Sequence, residues 1–147
     1  MAYTNPYAAY QNTAVKTASQ GKLVVMLYET AVKQLTAATK CFDSVTGKVP
    51  ANTIEAYGNH IMKTQEIINE LQVSLDMDKG GQIAQNLMSL YVYFNRELMD
   101  ANINKDKSKL EFVLNMLNQL LSAWETAANS TSNAPAADIR PALNITG

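Results

Sequence analysis

Between residues 54 and 75 the core-facing positions recur in steps of three, four, three, four, three and four: Ile54, Tyr57, Ile61, Thr64, Ile68, Leu71 and Leu75. Each pair of steps nearly completes two turns of an α-helix, so the seam stays on one face. A strand would need a period of two, and the apolar period is helical throughout the chain. A helix with so regular a seam has to bury it against other helices. The fold class that follows is all-α.

Three further segments carry the same period. From 18 to 41 or 42, Val24, Leu27, Tyr28, Ala31, Leu35, Ala38 and Phe42 share a face. From 82 to 104 the face is Ile83, Leu87, Leu90, Tyr91, Phe94, Leu98 and Ala101. From 109 to 128 it is Leu110, Val113, Leu114, Leu117, Leu121 and Trp124. Thr17 with Gln20, Asn52 with Glu55 and Ser108 with Glu111 have capping-box spacing, which puts the second helix's start near Asn52. The breaks hold Gly47 and Pro50, then Gly80 and Gly81, then a short polar join at 105–108. Short joins between long helices predict an antiparallel four-helix bundle over residues 17–128, with left-handed packing. A chain of 147 residues can bury such a core without a metal or disulfide.

The ends read differently. Residues 129–147 are rich in Ala, Asn, Ser, Thr and Pro and predict a flexible tail. Residues 1–16 place Tyr3, Tyr7 and Tyr10 three or four apart around Pro6. Two readings stay open for this N-terminal arm. It is a frayed terminus, or it is an aromatic arm or helical cap in which Tyr7 and Tyr10 shield the domain's own apolar surface and yield to a ligand.

The helices carry more apolar surface than one seam uses. With 100° per residue, Phe112, Met116, Leu120 and Ala127 form a second stripe beside the core stripe of the last helix. Met88, Val92 and Met99 form a line set off from the seam of the third. Methionine is unbranched and soft, so it suits a groove that accepts varied side chains. Two readings cover these stripes: an amphipathic segment of a partner seated in a groove, or a second copy of the chain in a homodimer. Met88, Val92, Met99, Phe112, Met116 and Leu120 are the candidate contact residues.

Chemistry is poorly provided for. There is one histidine, His60, and one cysteine, Cys41. Neither has a partner at metal-ligand spacing, and the paired Glu-x-x-His motifs of di-metal bundles are missing. No phosphate-binding glycine loop occurs. Glu66 and Glu70 read as a solvated face, and Phe94 and Trp124 as core. The formal charge of −1 favours neither nucleic acid nor an anionic membrane. Lys105, Lys107 and Lys109 alternate with Asp106 and Ser108, a weak nucleic-acid signal. No basic-then-apolar leader and no apolar run of about 18 residues is present. The expectation is a cytoplasmic protein without cofactors, catalysis or membrane insertion.

The run NPYAAYQNTAVKTASQGKLVVMLYETAV at residues 5–32 resembles the opening of the FliS family of flagellar secretion chaperones. The resemblance continues through GGQIAQNLMSLYVYFNRELMDANINKD at 80–106 and LLSAWETA at 120–127. Asn5, Pro6, Tyr7 and Tyr10 match the family's arm. Thr17, Ala18, Ser19, Gly21, Leu23, Met26, Leu27 and Tyr28 match the start of its first helix. Gln20 stands where a proline is common, and Glu29-Thr30 where Asp-Gly is common. The resemblance implies a cytoplasmic helical bundle without catalytic activity. It also implies binding of the C-terminal segment of flagellin, prevention of its premature polymerisation, and delivery to the flagellar export apparatus.

Overall fold

The computed structural model describes residues 20–130. Four helices make up this part: α1 (Gln20–Thr39), α2 (Ile54–Ser74), α3 (Gly81–Asn104) and α4 (Lys107–Ser130), with a 3-10 turn at Ala51–Thr53 ahead of α2. Tyr3, Tyr7 and Tyr10 of the arm, the Thr17 cap and the tail beyond Ser130 lie outside the described residues.

Consecutive helices run antiparallel. The Tyr57 hydroxyl at the start of α2 donates to the Ala101 carbonyl at the end of α3, 2.7 Å away. Phe42, just past α1, lies edge-on to Tyr57, and the Lys107 ammonium at the start of α4 sits over the Phe42 ring. α1 packs on α2 and α4, and α3 closes the ring by packing on the same two helices. The four seams meet in one core. Tyr28, Leu35, Tyr57, Ile61, Ile68, Phe94, Leu98, Leu110 and Leu117 are all buried there, together with Trp124. Thr64, the polar member of the α2 seam, is buried without loss because its hydroxyl donates to the His60 carbonyl one turn back. His60 sits between helices, its Nδ1 2.9 Å from Gln34 Oε1 of α1.

Several local expectations fail for identifiable reasons. Ile54 is exposed, because α2 begins at that residue, after the 3-10 turn, instead of near Asn52. The Asn52–Glu55 box does not form: Thr53 occupies the cap position without a side-chain cap bond, and its hydroxyl donates to the Pro50 carbonyl. Leu75 lies beyond the end of α2, in extended backbone, and is only partly buried. α4 starts two residues before the expected Lys109, and its cap is Asp106, not Ser108. The Asp106 carboxylate accepts from the backbone N–H groups of Ser108 and Lys109 and from the Ser108 hydroxyl. Those bonds, the hydroxyl first, hold its carboxyl below the usual range. The cap therefore contributes fully above the unfolded carboxyl pKa of about 3.9 and is lost as pH falls through the lower folded value. Asp106→Ala is expected to lower Tm by a few degrees at neutral pH and to flatten the acid limb of a Tm-against-pH curve.

The α2–α3 turn depends on its two glycines for different reasons. Gly81 has φ +54°, a left-handed conformation with open space around it. A Cβ on Gly80 would stand 2.5 Å from the Ala84 Cβ and 2.6 Å from the Asp76 carbonyl oxygen, neither of which can swing aside. Gly81→Ala is expected to cost about 1–2 kcal/mol in backbone strain. Gly80→Ala should cost about 1–3 kcal/mol or more through overpacking. Thermal denaturation of the two variants checks the order.

Candidate binding surface

α3 buries one face, made of Leu87, Tyr91, Phe94, Leu98 and Ala101, and turns another outward. Along that outer face run Met88, Val92, Met99 and Ile103, separated by four, seven and four residues. Val92 is 49 % exposed, Met99 59 % and Ile103 70 %, while Met88 is half-buried. This line spans about 22 Å, roughly four helical turns. Such a row of large apolar groups in water is the informative kind of exposure, because single exposed residues need no explanation.

Beside this line, the α3–α4 seam carries its own aromatic contacts. Phe112 of α4, 46 % exposed, meets Tyr93 of α3 edge-to-face with ring centroids 6.1 Å apart. The Arg96 guanidinium lies 5.9 Å above the same Tyr93 ring. Arg96, Met99 and Ile103 then line a shallow recess of about 350 Å³ with Glu97, Asp100 and Lys109. Lys109 bridges its wall: the ammonium pairs with Asp100 and reaches Glu97 at 3.8 Å. Those contacts raise the Lys109 pKa and lower that of Asp100, the Lys109–Asp100 bond being the leading cause in each. With Arg96 and Lys109 set against Glu97 and Asp100, the recess carries no net formal charge.

Not every expected contact residue belongs to this surface in the same way. Met116 and Leu120 are half-buried and pack against the core. A charge at Met116 would strike the core as well as any ligand. Ala127, placed on the second stripe of the last helix by its spacing, is buried in the core. Ile103 was missed, although it lies four residues beyond Met99 and eleven beyond Val92, on the same line. Met62 and Val73 on the outer face of α2 were missed too, and both are exposed. The antiparallel register, with Tyr57 opposite Ala101 and Gln65 opposite Asn95, sets Met62 level with Met99.

The lysines of the α3–α4 join are engaged locally. Lys105 Nζ bonds the Asn102 carbonyl and lies over the Tyr57 ring, Lys107 covers Phe42, and Lys109 holds its two carboxylates. Among the described residues no three His, Cys, Asp or Glu side chains gather in a metal-binding group, and no helix is long and apolar enough to cross a membrane.

A helical bundle with a row of uncovered apolar side chains offers a surface on which another polypeptide can lie. The chain belongs to the FliS family: the family model described as "Flagellar protein FliS" matches residues 3–131. The flagellar secretion chaperone FliS of Bacillus subtilis is 31 % identical over 130 residues, covering 88 % of this chain and 91 % of that protein. The FliS chaperone of Salmonella typhimurium is 33 % identical over 121 residues, covering 82 % and 84 %. That of Vibrio cholerae is 29 % identical over 135 residues, covering 89 % and 94 %. The family places the chain among the chaperones of flagellar export, which are not enzymes.

Proposed function

We propose that this chain binds the C-terminal helical segment of flagellin, keeps it from polymerising, and hands it to the flagellar export apparatus. The observation that carries this reading is the uncovered line Val92–Met99–Ile103 on α3, with Phe112 also exposed at the α3–α4 seam. An amphipathic client helix can lay its apolar face along it, with anchors one turn apart. In a filament those same client faces meet other subunits. While they lie on α3 and α4 they are unavailable for that contact, so the chaperone works by occupying the polymerisation interface, without bond chemistry. Each leucine-sized anchor that leaves water contributes about 1.5–3 kcal/mol before the client's ordering is charged against it, so several anchors are required.

Met88, Val92, Met99, Phe112, Met116 and Leu120 are the proposed client contacts, with Ile103 added to them. Tyr7 and Tyr10 of the arm are proposed to shield part of this surface until client arrives. Light scattering with and without a synthetic peptide of the C-terminal segment of the same organism's flagellin tests the reading. A monomer that forms a one-to-one complex supports it. A peptide-insensitive dimer would mean that the apolar line serves a second copy of the chain. Removal of residues 1–12 is expected to change client affinity and to expose new apolar surface to a hydrophobic dye. Unchanged values in both would remove the shielding role.

A further inference from the structure

The seam between α2 and α3 is polar where its neighbours are apolar. Gln65 Nε2 donates to the Asn95 carbonyl at 3.2 Å, and Asn95 Nδ2 donates to Asn69 Oδ1 at 2.9 Å. These bonds leave Asn95 Oδ1 shut off from solvent without a hydrogen-bond partner. No other described side chain has a buried polar atom in that condition. Turning both amides over would only exchange the orphaned oxygen for an orphaned N–H₂, so one polar edge of Asn95 is unsatisfied in either assignment. Native proteins keep few such groups, and each asks for a reason.

Its position supplies one. Val92 and Met99 stand three residues before and four residues after Asn95, so on the helix surface they flank it directly. Both are about half exposed. Met62 of α2, also exposed, stands level with Met99 across the seam. The orphaned amide therefore belongs to a stretch of α3 flanked by exposed apolar side chains, among them an unbranched, flexible methionine.

Resting on the reading of this surface as the client site, we infer that Asn95 is a specificity-determining residue: its amide is completed by one polar side chain set among the apolar anchors of the bound client helix. Such a side chain (a serine, threonine, asparagine, glutamine or lysine for the orientation present) fixes which turn of the client lies over α3. An apolar strip alone holds any amphipathic helix at registers one turn apart. A single buried polar pair removes that ambiguity, because every shifted register leaves both partners without a bond.

The test uses the full chain, the same flagellin peptide, and a panel of peptides in which each polar residue of the client helix is replaced in turn by alanine. Asn95→Leu and Asn95→Ala are compared with the unaltered chain, with circular dichroism and Tm establishing that at least one of the two is folded. For the folded variant, affinity for the parent peptide is expected to fall about tenfold. One peptide of the panel should bind the unaltered chain about as weakly and lose nothing further with the variant, the signature of a coupled pair. A folded variant that binds the parent peptide as tightly as the unaltered chain overturns the inference, and so does an equal loss against every peptide. Both results leave the client reading intact. Failure of the unaltered chain to bind the parent peptide at all would instead remove the client reading and, with it, this inference.

Discussion

A chain carrying Val92→Asp and Met99→Asp is expected to fold as before and to lose at least about 100-fold in affinity for the flagellin peptide. Each position is about half exposed in the free chain, so the substitutions leave no cavity and bury no charge there. Surface changes of this kind move stability by about 0.5 kcal/mol each. In the complex the same positions are covered. About half of each side chain leaves water on binding, so the two lost anchors remove roughly 1.5–3 kcal/mol together, and two carboxylates facing an apolar helix cost at least as much again. A loss of 1.4 kcal/mol is tenfold, so the two effects together exceed 100-fold. Aspartate is the sharper probe, since a lysine would bend its charge into water and keep an aliphatic stem on the client. Phe112→Asp should behave in the same direction. Met116 is a poor probe, because it packs on the core and a charge there lowers stability as well.

The second large effect is in alkali. Tyr28 and Tyr91 are fully buried and share a 2.6 Å hydrogen bond between hydroxyls 63 residues apart in sequence. Burial pushes the Tyr28 hydroxyl up to about 12, against the opposing pull of its bonds with Tyr91 and Trp124. Burial, then the neighbouring Tyr28 oxygen, pushes Tyr91 well above the ordinary value. An unfolded tyrosine ionises near 10. Both hydroxyls therefore keep their protons in the folded chain after the unfolded chain has released them. Their stabilising contribution is complete below pH 10 and is lost as pH rises through the folded values. Two such groups lower stability by roughly 2.7 kcal/mol per pH unit above pH 10. Alkaline unfolding is expected to be steep and to coincide with the appearance of tyrosinate absorbance. Tyr28→Phe/Tyr91→Phe should make it shallower, leaving Tyr57, also held at about 12, chiefly by burial, as the remaining buried phenol among the described residues. At neutral pH either single change should cost about 1–3 kcal/mol by orphaning its partner, and the double less than the sum.

What the sequence made legible follows from what periodicity encodes. The α2 seam could be read because five of its seven positions, Tyr57 through Leu71, turn one face to the core, and the outer two failed where the helix had not started or had already ended. The exposed line on α3 could be read from Met88, Val92 and Met99, and the same arithmetic reaches Ile103. Stripe width alone could not separate Ala127, buried, from Phe112, exposed, because that depends on how close α1 and α3 approach α4. The Asp106 cap was hidden behind a better-known four-residue box, Ser108 to Glu111, that began two residues later. The Tyr28–Tyr91 bond and the orphaned Asn95 amide are products of register between helices, which no single-helix pattern contains.

Whether client lies on the outer face of α3 and the α3–α4 seam is read from a residue-resolved map of amide shifts during titration with the flagellin peptide. The largest shifts are expected at Met88, Val92, Asn95, Met99, Ile103 and Phe112, with the buried α1 residues Leu27, Ala31 and Leu35 little moved. Shifts confined to the outer face of α1 or to the 43–49 loop, with the α3 line silent, would place the client elsewhere and rule this surface out.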